Sequence, residues 1–199
     1  SKPGEPERVF ESTMSRGIKI DLLINNAGTH EYGPYSEADW DKLQSLMALN
    51  QYAVVRLTHL FLPEMIDRQQ GHIINLGSTG SFVPWPNDAI YGGGKAFILH
   101  FSQALAEELR GTGVDVTCLC PGSVKTAFQD KGDLNRTILT RLTAMAPEPV
   151  VRSGLRAAAR GKWVHVPGLI NKLIVFFQRF IPRRWLTRLA KWATTPREI

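Results

Sequence analysis

Short apolar runs closed by glycine, proline or asparagine alternate along this chain with longer stretches in which apolar residues recur every three or four positions. Val9, Phe10 and Met14 have helical spacing within residues 7–16, and Gly17 supplies a stop. Leu22, Leu23 and Ile24, between Asp21 and the turn Asn25-Asn26-Ala27-Gly28, predict a strand buried on both faces. Ser36 is the expected N-cap of a helix from about Glu37, with Asp39 as an acid in its first turn. The apolar side of that helix runs through Trp40, Leu43, Leu46, Met47, Val54, Leu57, Leu60 and Phe61, with an end expected near Pro63.

The pattern then repeats. Residues 71–77 read as a second buried strand, and residues 89–110 as a helix with Phe97, Ile98, Phe101, Leu105 and Leu109 facing inward. Residues 114–120 form a third strand, stopped by Pro121-Gly122. Helices are expected around 136–145 and 150–160, and a last strand at 162–166. Strand and helix in alternation predict an α/β fold with a parallel sheet covered by helices. In open sheets of this kind ligands lie at the carboxyl ends of the strands, so the residues after Asn25, Leu76 and Cys120 should carry the function.

Composition adds two constraints. The 43% hydrophobic and 21% charged content of these 199 residues is that of one soluble globular domain with a real core. No apolar run approaches the roughly 20 residues of a membrane span, and the polar, proline-containing start is unlike a signal peptide, which sets a cytoplasmic location as the expectation. Cys118 and Cys120 point to the same side of one strand, too close for a relaxed disulfide and without neighbouring metal ligands, so they read as small buried apolar side chains. Charge is uneven: from Val151 to Ile199 eleven Lys or Arg face one acid, a net +10, which leaves the first 150 residues at −4 within an overall +6.

Candidate chemistry sits where the sheet predicts it. Tyr91 and Lys95, four residues apart on a helix, share a face. A cation held beside a phenol favours the phenolate, so the pair is suited to proton transfer near neutral pH. Ser78, thirteen residues before Tyr91, stands at the end of the preceding strand, where its hydroxyl could bond a substrate carbonyl oxygen. His30, His59 and His100 read as structural histidines, and the aromatic trio Phe82, Trp85 and Phe128 as core or pocket lining.

With Asn25-Asn26-Ala27-Gly28, Ser78, Tyr91-x-x-x-Lys95 and Pro121-Gly122-Ser123-Val124-Lys125-Thr126 in this order, the chain resembles the short-chain dehydrogenase/reductase family from about Asp21 to Thr126, and more loosely to Val166. The resemblance implies a Rossmann-type doubly wound parallel sheet and an NAD(P)-dependent oxidoreductase that passes hydride between nicotinamide and a carbonyl or secondary alcohol. It implies that Tyr91 exchanges the proton, Ser78 polarises the carbonyl, and Lys95 lowers the Tyr91 pKa and holds the nicotinamide ribose. Asn50 would support a water linking Lys95 to solvent; alone it could equally be an exposed helix residue. Asn26, Ala27 and Gly28 would line the cofactor's ribose region, and Pro121, Gly122, Val124 and Thr126 would flank the nicotinamide.

The chain departs from the family pattern in two places. The glycine-rich turn that receives the dinucleotide phosphates is not in these 199 residues, nor is the position that selects NADP or NAD, so both cofactors stay open. The first three strands of the usual order, with two helices, are on the order of 70 to 80 residues, and an N-terminally truncated chain is the expectation. Gly92-Gly93-Gly94 stands where small residues with a Cβ are usual; it reads either as a close approach to a ligand or, preferred, as tolerance at a helix start.

Residues 1–166 are therefore expected to be a partial catalytic domain, and residues 167–199 a basic amphipathic helical segment. Its apolar side, Leu169, Ile170, Leu173, Ile174, Phe177, Phe180, Ile181, Trp185, Leu186, Leu189 and Trp192, lies opposite Lys172, Arg179, Arg183, Arg188 and Lys191. Such a segment suits a cover over the substrate site or a neighbouring subunit, the preferred reading, or a membrane interface. The expected partners are a small hydrophobic carbonyl or alcohol substrate and a second copy of the chain, with peripheral membrane contact as the second reading of the tail. Nucleic acid is not expected, because no reader motif accompanies the charge. The rival functional reading is a non-catalytic remnant working by association.

Overall fold

The computed structural model describes residues 4–126 and 136–196. Among them, strands β1 (Leu22–Asn25), β2 (Gly71–Leu76), β3 (Val114–Leu119) and β4 (Val164–His165) lie side by side in chain order, all parallel. The register runs Leu22↔His72 to Asn25↔Asn75, Gly71↔Val114 to Leu76↔Leu119, and Cys118↔Val164. Helices lie on both faces of this sheet, which is the Rossmann-type α/β architecture expected.

One face carries α1 (Glu5–Met14), α3 (Ala53–Asp67) and α4 (Ala89–Glu108). Phe61 and Met65 of α3 and Leu109 after α4 pack on Ile73, Val114 and Val116. Phe10 of α1 meets Phe61 edge-on at 5.1 Å, and Arg56 Nε donates to Glu7 at 2.6 Å, so α1 is tied to α3. Nearer the carboxyl ends, Val54, Ile98 and Leu99 close over Cys118 and Cys120. Both cysteines are free and buried, as their spacing required.

The other face is covered by α6 (Pro147–Ala158), whose Ala158 packs on Ile74 and Leu119. Gly154 lets it settle: a Cβ there would lie 2.6 Å from Leu119 Cδ2. Toward β1 this face is exposed among the described residues. Leu22 and Ile24 are 42% and 47% exposed, so burial on both faces, expected for β1 from its apolar run, holds for β2 and not for β1. Among the described residues β1 is an edge strand, apolar on the uncovered side.

Two boundaries between β1 and β2 differ from the sequence expectation. Ser36 falls in a 3-10 turn (Tyr35–Glu37) that ends at an extended Ala38. Asp39 caps instead, its carboxylate accepting from the amides of Asp41 and Lys42 at 2.9 and 3.3 Å, and α2 spans Trp40–Met47. Its first residue, Trp40, therefore faces water, while Leu43 and Leu46 are buried. Pro63 does not end α3, which continues to Asp67.

After β3 the chain builds α5 (Ile138–Thr143), and after β4 it builds α7 (Leu169–Phe177), a 3-10 turn (Gln178–Phe180) and α8 (Arg183–Thr194). Both tail helices pack on α5. Of the expected apolar side only Ile174, Ile181 and Leu186 are half-buried. Asn171, Gln178 and Thr194 point inward, and most of the large apolar residues point out.

Candidate active site

A cavity of about 940 Å³ opens where β1, β2 and β3 end, on the side of the sheet that carries α6. Its walls join the segments expected to bear function: Asn26 to Gly28 after β1, Ser78 and Thr79 after β2, Tyr91 and Lys95 on α4, and Pro121 to Val124 with Thr126 after β3. Asn50 is set just behind this wall.

Each side chain has a local reason for its place. Ser78 follows β2 in extended conformation and caps a 3-10 turn (Thr79–Phe82), its Oγ accepting from the Gly80 amide at 3.0 Å while Ser81 Oγ accepts from the Ser78 amide. Thr79 N donates to Pro121 O at 2.8 Å, locking the loop after β2 to the loop after β3. Tyr91 enters from the first turn of α4 and lines the same cavity as Ser78. Lys95, one turn on, sits with Nζ 5.7 Å from the Tyr91 ring centroid and donates to Leu76 O at 2.6 Å.

Asn50 lies in a single π-helical turn (Ala48–Tyr52) between α2 and α3, a local geometry found disproportionately at functional sites. It is buried, so the exposed-residue alternative is excluded. Its Nδ2 donates to Thr29 O at 2.7 Å and its Oδ1 accepts from Thr29 N at 2.9 Å, which fixes the loop after β1. A Cβ on Gly28 would lie 3.3 Å from Asn50 Oδ1 and 3.8 Å from Lys95 Nζ, so the Gly28 backbone is held close to both.

The electrostatics reverse one expectation. Burial holds the Tyr91 phenol well above its usual value, outweighing the opposing effect of Ser78, and the nearby Asp88 carboxylate raises it further. Burial also lowers Lys95 to about 8. A cation over the ring at this distance does not make Tyr91 acidic, because the same low-dielectric pocket penalises both charges. At neutral pH Tyr91 is a protonated donor.

Sequence reasoning missed a layer beneath these residues. Asn25 Nδ2 donates to Asn75 Oδ1 at 2.8 Å, and Asn75 Nδ2 donates to Ser102 Oγ at 3.0 Å, linking β1, β2 and α4 through buried polar groups. Asparagine twice at matched ends of otherwise apolar strands was the available signal. His30, expected to be structural, is buried with Nδ1 3.2 Å from Asp88 Oδ2, its ring 6.0 Å from that of Tyr91. His59 and His100 are exposed. Trp85 lines the cavity, 5.7 Å from Tyr91, whereas Phe82 belongs to the core; Phe128 lies outside the described residues.

Trp85 also explains part of the glycine run. A Cβ on Gly92 would lie 2.8 Å from Trp85 Cβ, and one on Gly94 would meet the Gln51 amide, while Gly93 faces open space. Close packing, rather than tolerance at a helix start, accounts for the first two.

Comparison with known proteins identifies the family. Residues 1–136 match the model of the short chain dehydrogenase family. The chain belongs to that family. It is 36% identical over 151 residues to the NADP-dependent 3-hydroxy acid dehydrogenase YdfG of Escherichia coli (strain K12), covering 72% of this chain and 61% of that protein. It is 35% identical over 143 residues to a very-long-chain 3-oxoacyl-CoA reductase of Pyricularia oryzae, covering 70% of this chain and 41% of that one. A solved 7beta-hydroxysteroid dehydrogenase superposes with a TM-score of 0.80 at 26% identity, over 95% of this chain and 72% of that one. The chain thus spans about three fifths of the length of YdfG.

Proposed function

We propose that this chain carries the catalytic side of an NAD(P)-dependent oxidoreductase acting on a small hydrophobic carbonyl or secondary alcohol. The observation that supports it is the joining of Ser78, Tyr91 and Lys95 in the wall of one cavity. The relatives named for NADP-dependent dehydrogenation and 3-oxoacyl reduction agree with this reading.

The residues present fit the nicotinamide side of the cofactor. Gly28, Lys95 and the segment from Pro121 to Val124 form a cradle beside Tyr91, and a side chain at Gly28 would crowd Asn50 and Lys95. Asn26, Ala27, Gly28 and Lys95 would hold the ribose; Pro121, Gly122, Val124 and Thr126 would hold the nicotinamide ring and its amide. When bound, the dinucleotide supplies or accepts the hydride.

The protein's own part is the proton. Ser78 orients the substrate oxygen by a hydrogen bond, and Tyr91, kept protonated by burial, gives that oxygen its proton during reduction. In the opposite direction Tyr91 must first lose its proton, which its raised pKa opposes at neutral pH. Lys95 holds its ammonium against Leu76 O beside the phenol and loses charge near pH 8. Trp85 and the apolar side chains Leu139 and Val150 keep water from the reacting oxygen and suit an apolar substrate.

Tyr91→Phe tests the assignment. Carbonyl-dependent oxidation of NADPH is expected to fall about 100- to 10,000-fold, the range lost with a general acid, while NADPH binding is retained. Undiminished turnover in Tyr91→Phe would overturn the role of Tyr91.

A further inference from the structure

The two tail helices leave most of their large apolar side chains in water, with only Ile174, Val175 and Leu186 half-buried among them. A helix lying on a protein normally buries its apolar stripe and gives its polar side to water. Here the inward side of α7 is built on Asn171, 2% exposed, whose Nδ2 donates to Pro167 O at 2.9 Å, and on Gln178 just after it, 9% exposed. Gly122 accommodates Asn171, since a Cβ there would collide with the Asn171 amide. The end of α8 is held by its backbone, Tyr32 Oη donating to Thr194 O at 3.1 Å, while Asn87 Nδ2 donates to the same Tyr32 hydroxyl.

The outward side is apolar and aromatic. Leu169, Phe177, Phe180, Trp185, Leu189 and Trp192 are all exposed, Phe180 at 69% and Trp185 at 63%. Large apolar side chains exposed at this density mark a contact site rather than a water-facing one. Six cations accompany it, most of them along α8 and the turn before it: Lys172, Arg179, Arg183, Arg184, Arg188 and Lys191. The Arg179 guanidinium lies 4.9 Å over the Phe176 ring, and that of Arg188 lies 5.4 Å over Trp185. No acidic residue occurs from 149 to 196.

We propose that the outer face of α7 and α8 docks on an anionic lipid surface, apolar and aromatic side chains entering the acyl boundary and the flanking cations meeting lipid phosphates. Aromatic and apolar groups ringed by Lys and Arg are the composition that an interfacial helix requires. At nine and twelve residues the helices are too short to cross a bilayer and are suited to lying in its surface. No helix among the described residues is long and apolar enough to span one. A second copy of the chain fits this face less well, because pairing the two like faces would bring cation to cation. Docking here stands independently of the catalytic reading.

The test is sedimentation of the full chain with vesicles of phosphatidylcholine alone and of phosphatidylcholine with 30% phosphatidylglycerol. The chain is expected to pellet with the anionic vesicles at low salt, to be released at about 0.5 M salt, and to stay in solution with the neutral ones. Tryptophan emission should shift to the blue on binding. Phe177→Ser/Phe180→Ser is expected to abolish pelleting. Arg183→Ala/Arg184→Ala should weaken it about 25-fold, from roughly fivefold per cation. All four side chains are exposed, so both variants are expected to keep the wild-type circular dichroism spectrum and thermal midpoint. Failure of the wild type to pellet or shift its emission, equal binding to neutral vesicles, or undiminished binding by the folded Phe177→Ser/Phe180→Ser variant would each overturn the proposal. So would a wild-type dimer in light scattering that this variant dissolves, which would assign the face to a second copy.

Discussion

The sheet and the tail of this molecule solve the burial problem in opposite ways. Around β2, β3 and α4 the interior is filled by Met65, Ile73, Ile98 and Val116, and its buried polar groups, Asn25, Asn75 and Ser102, are bonded to one another. Across α7, the turn after it and α8 the most buried side chains are Asn171, Gln178 and Thr194, and most of the large apolar and aromatic side chains face out. Both segments have helical apolar spacing in the sequence. The difference shows that periodicity identifies a helix and its stripe but not what the stripe faces: protein core in one case, an open surface in the other.

That contrast can be sharpened by stability measurements. The largest loss is expected in the core: Met65→Ala, at a fully buried position, should cost about 2–5 kcal/mol in denaturant unfolding. A loss under about 1 kcal/mol would mean that the face between α3 and the sheet is loosely packed.

Next is the buried charge at Lys95. Below about pH 8 Lys95 is protonated both folded and unfolded, and the fold carries the cost of a buried ammonium. Between about 8 and its ordinary 10.5 the unfolded chain holds a proton that the folded chain has lost. Stability should therefore rise with pH across that window, by about 3 kcal/mol in total. Lys95→Met should abolish this rise. Tyr91, which stays protonated longer when folded, contributes an opposite slope above about pH 10, and this cancels in the comparison. Equal slopes in the two proteins would show that Lys95 is hydrated in the fold.

Smaller again is Asn75→Ala, which leaves Asn25 Nδ2 with Thr58 alone and should cost about 1–3 kcal/mol. A neutral result would show that the polar layer is not structural. At the bottom of the scale, Phe180→Ser should change stability by no more than about 0.5 kcal/mol. A core-sized loss there would mean that Phe180 is covered in solution, erasing the contrast with Met65.

Much of the body was legible in the sequence because each strand is bounded by a turn residue with a physical job. Asn25-Asn26-Ala27-Gly28 and Pro121-Gly122 end strands and begin cavity walls, and a helix from Ala89 brings Tyr91 and Lys95 to one side. Other features depend on contacts distant in sequence. Gly92 is small because Trp85 packs on it, and Asp88 stands beside His30 rather than capping α4 with its side chain. Ser36 is as good a cap as Asp39 by composition, and the extended backbone at Ala38 decides between them. The rise in the Tyr91 pKa was missed for a related reason: spacing places a cation near the phenol, but burial, which acts more strongly here, is a property of the assembled pocket.

The central claim is that this cavity receives a nicotinamide. It is tested most directly by titrating the chain with NADPH and following energy transfer from its five tryptophans, of which Trp85 lies on the cavity wall. Saturable transfer, reduced in Trp85→Phe and preserved in Tyr91→Phe, is the expected result. A chain that is folded by circular dichroism yet shows no saturable transfer would contradict it.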